Sequence, residues 1–358
     1  MSLPKLRKQI DAVDRSLVEL LERRLKLVNA VSAEKKKNGG QVFVPSREKD
    51  VLDRALARRK KFPADALRRV FGQIFQVSRS LEENLLIGFL GPAGTYSHEA
   101  AIRLFGTDVT YVPFKTITDL FEAVSDGSVH YSIVPFENTT EGVVTHTIDM
   151  FRSYDVRIAS EFYLPISNCL LSMEKDLSRI RKIYSHRQAI SQTRRWVEAN
   201  LPWARIIETD STAVAAMTVR KMKAAAAIAS AAAARIYGLR ILGENIQDLE
   251  TNVTRFVVLS RENVNRPTGR DKTSVLFTVK DQPGALYSIL SCFKSEGVNM
   301  SKIESRPFRG RAWEYFFFVD LSGHQDDGPI RKSLSRIAKK TIDLNILGSY
   351  PAADGDER

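Results

Sequence analysis

Apolar residues at Leu6, Ile10, Val13, Leu17, Leu20, Leu21, Val28 and Val31 recur at intervals of three and four, which predicts one long amphipathic helix over residues 6–31. A second helix is expected over 47–60. A third is expected over 65–85, with Asp65 as its N-cap after Pro63. After Asn84 the pattern changes to short apolar runs separated by helical stretches: "LLIGFLG", "VTYVP", "YSIVPF", "FYLPISNCLL", "KIYSH", "AAAIAS" and "TRFVVLS". Such alternation predicts an α/β fold with mainly parallel sheets. From Lys272 the order becomes strand, helix, strand, strand, helix, strand, a βαββαβ unit of about 80 residues. The polar stretch "RENVNRPTGRD", residues 261–271, reads as the linker before it.

The expected fold class is therefore multi-domain, α followed by α/β, with modules at 1–86, 87–265 and 272–350. A length of 358 residues and 43% hydrophobic content suit two or three packed cores. Three helices in the first module make a poor core for a monomer, so dimerisation through the first helix is expected. Cys169 and Cys292 are far apart and flanked by apolar residues, which fits reduced, buried thiols and a cytoplasmic protein. The charged start "MSLPKLRKQIDAVD" has no signal-peptide core, and no apolar run reaches the roughly 18 residues of a membrane span.

Charge changes the picture more sharply. Residues 1–86 hold 20 Lys and Arg against 11 Asp and Glu, nine of the twelve net positive charges of the chain. A nucleic-acid footprint would have this sign, but interspersed acids and few aromatic residues argue for a small anionic ligand instead. A helix face repeats nearly every seven residues, so Arg7, Asp14, Leu21, Val28 and Lys35 align, with Arg24 one turn from Leu21. Two readings stay open on spacing alone. Either Arg24 pairs with a carboxylate such as Asp14 while Arg7 and Lys35 snorkel, or the cations face a bound anion.

The stretches "LRKQIDAVDRSLVELLERRLKLVNAVSAEKK", "VPSREKDVL" and "FGQIFQVSRSLE" resemble the all-helical chorismate mutase family over nearly the whole module. The resemblance implies that Arg7, Arg24, Lys35, Arg47, Glu48, Ser78 and Glu82 surround the substrate, with Arg7 reaching into a partner's site. Conversion of chorismate to prephenate is pericyclic. A protein can help by holding the compact conformer, forking arginines onto two carboxylates and facing a lysine to the breaking ether oxygen. Glu82 stands where many members have an amide, and a carboxylate there would repel a developing oxyanion. Glu82 is therefore expected to work protonated, as a donor. Val44 stands where an acid is common, which leaves the contact to the ring hydroxyl open.

In the second module "FLGPAGTYSHEAA" reads as a strand, a glycine turn and a helix start with free backbone N–H groups. "VPFENTTEGVV", "SHRQAISQ", "DSTAVAA" and "NVTRF" add four polar loops at strand ends. Five such loops in one module point to a shared cleft. Together they resemble prephenate dehydratase over 87 to about 260, with the "TRF" mark intact and Arg187 in place of a usual proline. The resemblance implies two lobes like those of a periplasmic binding protein, with the last strand returning to the first lobe. Loss of water and CO2 from prephenate needs a proton donor at the ring hydroxyl, a role that suits Thr254. Arg255 and the N–H groups near Thr95 and Ser97 suit the side-chain carboxylate. Asn138, Ser185, His186, Gln188, Gln192, Ser211, Thr212 and Phe256 are candidates for the remaining wall, His186 equally for a helix cap. No cofactor is called for, and no metal-ligand spacing or nucleotide loop is present.

"DQPGAL" and "SKIESRPF" resemble the ACT domain of phenylalanine-responsive enzymes. They imply effector contacts at Gly284, Ala285, Leu286, Asn299, Glu304, Ser305, Arg306 and Pro307, with the amino acid at a dimer interface. The sequence thus predicts a bifunctional enzyme of phenylalanine biosynthesis, feedback-inhibited by L-phenylalanine, homodimeric or larger, with no nucleic-acid or membrane partner. A non-catalytic amino-acid sensor is the competing class, and it predicts no need for Thr254 or Arg24.

Overall fold

The computed structural model describes residues 2–38, 40–249, 251–307 and 315–353. Helix α1 (Leu3–Asn38) is longer at both ends than the apolar periodicity predicts. Its 36 residues span about 54 Å, and Lys35, Lys36 and Lys37 in the last turn complement the carbonyl end of the helix. Helix α2 (Pro45–Arg58) starts on a proline, whose missing N–H is not needed there. Helix α3 (Ala64–Glu82) corrects the expected cap: Pro63 holds the N-cap position, and Asp65 lies inside the first turn, where its charge favours the amide end. Helix α3 packs on α1 and α2. Leu6, Ile10, Val13, Leu17, Leu20 and Leu21 of α1 nevertheless stay exposed, and among the described residues of α1 only Ser32 is buried.

The next segment runs β1 (Leu86–Leu90), α4 (Tyr96–Phe105), β2 (Thr110–Phe114), α5 (Ile117–Ser125), β3 (Tyr131–Asn138), β4 (Gly142–Val143), α6 (Thr145–Ser153) and β5 (Arg157–Pro165). A second lobe follows: β6 (Cys169–Ser172), β7 (Lys182–Ser185), α7 (Arg187–Gln192), α8 (Arg194–Asn200), β8 (Arg205–Glu208), α9 (Thr212–Val219), β9 (Ala225–Ala229), α10 (Ala231–Tyr237) and β10 (Arg240–Gly243). Strand β11 (Val253–Ser260) then returns to the first lobe, between β3 and β5. Both sheets are mixed, not mainly parallel. Strands β2, β1 and β3 are parallel, while β11 runs antiparallel to both neighbours because the chain enters from the opposite end. In the order β10-β6-β9-β7-β8, the β9–β7 and β7–β8 pairs are parallel, and β6 runs against the other four strands. Every residue of β9 is buried, which suits a central strand covered on both faces.

The C-terminal module is βαββαβ as expected: β12 (Asp271–Thr278), α11 (Ala285–Ser295), β13 (Met300–Pro307), β14 (Tyr315–Ser322), α12 (Gly328–Ile337) and β15 (Asp343–Pro351). The sheet order is β13-β14-β12-β15, antiparallel throughout. This sheet is not an appendage. Leu276, Phe316, Phe318, Leu347 and Tyr350 share one core with Phe121, Phe136, Phe151 and Val257 of the first lobe. Phe43, just before α2, likewise enters the other core of that lobe beside Phe105 and Tyr131.

Candidate active sites

Helices α1, α2 and α3 line a cavity of about 810 Å3 that holds Arg24, Lys35, Arg47, Glu48, Ser78, Glu82 and Val44. Arg24 and Ser78 meet because α1 and α3 pack side by side: Arg24 Nη1 donates to Ser78 Oγ, which donates to Ile74 O. Asp14 is not its partner, since it sits ten residues, about 15 Å, back along α1. Lys35 Nζ lies 2.7 Å from Glu82 Oε1, so Glu82 accepts from Lys35 where a neutral donor was expected. Arg47 lines the cavity but pairs at its rim with Asp50. Arg7 is exposed and lies about 26 Å from Arg24 along the helix, outside this cavity.

Sequence reasoning missed Arg79, the most buried cation here. It donates to Glu48 Oε1 at 2.6 Å and to Leu104 O at 2.6 Å, and it lies over the rings of Phe43 and Phe105. Its Nε has no hydrogen-bond partner among the described residues. The available signal was an arginine beside Ser78 on the apolar side of α3. Burial pushes the Glu48 carboxyl above its ordinary range, against the pull of Arg79, Arg24 and Lys35. Burial likewise lowers Arg24, and Glu48 opposes that shift.

Between the two lobes a second constellation carries almost no charge. Asn138 Nδ2 donates to Asn252 Oδ1 (2.8 Å), Asn252 Nδ2 to Gln192 Oε1 (2.9 Å), Gln192 Nε2 to Thr140 Oγ1 (2.8 Å), and Thr140 Oγ1 back to Asn138 Oδ1 (2.6 Å). The circuit closes only because Gln192, at the end of α7, crosses from the second lobe. Asn138 Nδ2 also donates to Thr254 Oγ1 at 2.8 Å across the β3–β11 pair. Thr254 therefore spends its acceptor side on Asn138 and keeps its O–H for another group. Thr140 and Asn252 were not singled out from sequence, although Asn252 lies two residues before Thr254 and so on the same face of the chain.

Helix starts surround this circuit. Thr95 caps α4, accepting from His98 N, and Ser97 is buried in its first turn. Gly94 at φ +87° lets the preceding loop approach the second lobe, where an added Cβ would come within 3.3 Å of Ala233 and 3.1 Å of the Tyr237 ring. Ser211 caps α9, with Thr212 as its first residue. His186 is a cap, its ring accepting from Gln188 N at 3.3 Å. Three residues expected on the cleft wall point elsewhere. Ser185 Oγ donates to Ile228 O inside the sheet at 2.6 Å, and Phe256 lies in the core beside Phe89. Arg255 takes the opposite face of β11, as strand alternation requires. There its Nε lies 2.8 Å from Glu161, its Nη1 2.6 Å from Asp320 and its Nη2 3.0 Å from the Tyr350 hydroxyl. Lys272 joins at 2.9 Å from Glu161. Burial opposes the Arg255 charge, and Asp320, Tyr350 and Glu161 more than offset it, holding Arg255 above its ordinary value. Arg255 is thus a tie between the lobe and the C-terminal sheet, not an anion site in the cleft.

In the C-terminal module Gly284, at φ +78°, opens α11 with Ala285 and Leu286, and Asn299 O accepts from Ser322 N at 2.9 Å. Glu304, Ser305, Arg306 and Pro307 lie on β13, an edge strand two places from β12 and its glycine turn. Arg306 faces Asp149 of α6 at 3.3 Å, and Lys302 pairs with Glu137 at 2.7 Å. Within one chain these cations face the first lobe and not the glycine turn.

Three family models match in series: chorismate mutase type II over residues 6–83, prephenate dehydratase over 87–264, and the ACT domain over 273–339. A bifunctional chorismate mutase/prephenate dehydratase from Aquifex aeolicus is 43% identical over 98% of both chains. Among solved structures, a prephenate dehydratase from Arthrobacter aurescens in complex with L-Phe matches with a TM-score of 0.72 and 37% identity, over 75% of this chain and 91% of that one. A protein described as a quorum-quenching acylase matches with a TM-score of 0.70 and 31% identity, over 75% and 98%. Helical cavity, interlobe circuit and βαββαβ sheet fall in the same order as the three matched models, and the chain belongs to the bifunctional chorismate mutase/prephenate dehydratase family.

Proposed function

We propose that the helical module, residues 1–86, converts chorismate to prephenate and that the two-lobed module, 87–265, converts prephenate to phenylpyruvate. L-Phenylalanine at the ACT module, 272–350, acts as feedback inhibitor. The observation that carries this reading is the cavity in which α1, α2 and α3 gather Arg24, Lys35, Glu48, Ser78 and Glu82. Arg24 forks onto a substrate carboxylate and Lys35 faces the ether oxygen, so Glu82 must release Lys35 or take a proton as charge builds there. In the cleft, Thr254 donates to the departing hydroxyl while Asn138, Thr140, Gln192 and Asn252 hold its orientation. Helix starts at Thr95, Ser97, Ser211 and Thr212 supply N–H groups for carboxylates.

The exposed apolar stripe of α1 supports a homodimer in which Arg7 enters the partner's cavity. The separation of β13 from the glycine turn supports an effector site shared between two ACT modules. Among the described residues no helix is long and apolar enough to cross a membrane, and a cytoplasmic location is proposed with the pathway. The test feeds purified protein chorismate alone and follows chorismate loss and phenylpyruvate, with and without L-phenylalanine. Phenylpyruvate that falls on adding phenylalanine is expected. Protein that leaves both chorismate and added prephenate untouched, yet binds phenylalanine, would be a sensor.

A further inference from the structure

The segment between the dehydratase and ACT modules reads in sequence as a polar linker, but the structure pins it against all three modules. Asn265 Oδ1 accepts from Ser46 N at 3.0 Å, its Nδ2 donates to Ala159 O at 2.7 Å, and its carbonyl lies 3.3 Å from His324 Nε2. Arg266 N donates to Ser46 Oγ at 3.1 Å, Gln41 Nε2 reaches Glu262 O at 3.4 Å, and Asn263 Nδ2 donates to Ser349 O at 2.9 Å. Ser46 is in the first turn of α2, next to Arg47 and Glu48, so the pinned segment lies against the helical cavity. Val264, Arg266, Pro267 and Thr268 form part of the cavity wall.

Charge pairing distinguishes Arg266 from the other cations there. The four carboxylates on the wall each hold a cation: Glu48 with Arg79, Glu82 with Lys35, Asp50 with Arg47 and Asp53 with Lys49. The lining guanidiniums without a carboxylate partner among the described residues are Arg24, held by Ser78, and Arg266. Chorismate carries two carboxylates, and a dianion is bound best by cations that need not first give up another partner.

We infer that Arg266 is a substrate-binding residue of the mutase site, delivered by the segment that joins the other two modules, where it neutralises a substrate carboxylate. This rests on the mutase reading above. Because Asn265 and the Arg266 N–H fix the backbone of this segment to Ser46, the base of the Arg266 side chain is held at the cavity wall, and the cation contributes to ground-state affinity more than to the rearrangement itself.

The experiment compares full-length wild type, Arg266→Gln and Arg266→Lys with chorismate over a range of concentrations, and with added prephenate as a control for folding. Arg266 is exposed, so loss of its charge leaves the core intact. The expected result is a KM for chorismate about tenfold higher in Arg266→Gln, with kcat within about twofold and prephenate turnover unchanged. Arg266→Lys should recover part of the loss. A KM equal to that of wild type would overturn the inference and leave the mutase reading intact. Wild type that leaves chorismate untouched while turning over prephenate would overturn both.

Discussion

The helical cavity and the interlobe cleft are built on opposite electrostatic plans. The first collects Arg24, Lys35, Arg79 and Arg266, with Glu82 holding Lys35 and Glu48 holding Arg79 in place. The second is a circuit of amides and hydroxyls, Asn138, Asn252, Gln192, Thr140 and Thr254, without a formal charge. The difference follows the two chemistries. A pericyclic step transfers no proton, so fixed charge against a dianion and its ether oxygen is what a protein can contribute. A dehydration must move a proton, and a hydroxyl held by one donor is a group suited to supply it.

The largest effect should come from removing that hydroxyl. Thr254→Val is expected to lower prephenate turnover about thousandfold while leaving chorismate loss unchanged, measured on the same preparation. A smaller loss shared equally by both activities would assign Thr254 to packing. Next comes the buried tie behind it. Asp320→Asn leaves Arg255 with one carboxylate fewer in a site it cannot leave, and about 3–5 kcal/mol of stability should be lost, read by urea unfolding. Asp320→Asn with wild-type stability would mean that Glu161 alone carries the charge.

Arg24→Gln should reduce mutase kcat/KM about hundredfold with prephenate turnover intact, the converse of Thr254→Val. Equal loss of both activities would join the two sites that the comparison separates. A several-fold effect is expected at Glu82. Glu82→Gln frees Lys35 and presents a neutral donor toward the ether oxygen, so mutase kcat should rise. An unchanged kcat would place Glu82 outside the chemistry. The smallest effect concerns Glu48, whose carboxyl burial pushes up. Below that raised pKa the group is neutral and the cavity one charge more positive; above it the added anion repels the substrate. KM for chorismate should therefore climb with pH, and Glu48→Gln should remove the slope.

Read one residue at a time, the chain yields its elements readily and its partnerships poorly. The period of α1 and the βαββαβ order of the C-terminus were legible because each depends on side-chain spacing within a few turns or strands. Thr254 and Asn138 could be singled out because their motifs stand at strand ends, and the structure brings the two together. Arg255 was misplaced for a related reason. Its neighbour faces the cleft, and alternation along β11 turns Arg255 to the other side, where Asp320 waits 65 residues away.

Sequence by itself determined where helices and strands form, the three-module order and the cationic excess of the first module, since these follow from local periodicity and composition. Tertiary structure alone decided which carboxylate each cation meets. It set Arg79 against Glu48, carried Gln192 across the lobes to Asn252, and laid Asn265 and Arg266 beside Ser46, some 220 residues earlier in the chain. The physical reason is that charge and hydrogen-bond pairing act over a few ångströms of space, and only the folded packing of distant segments brings those groups within reach.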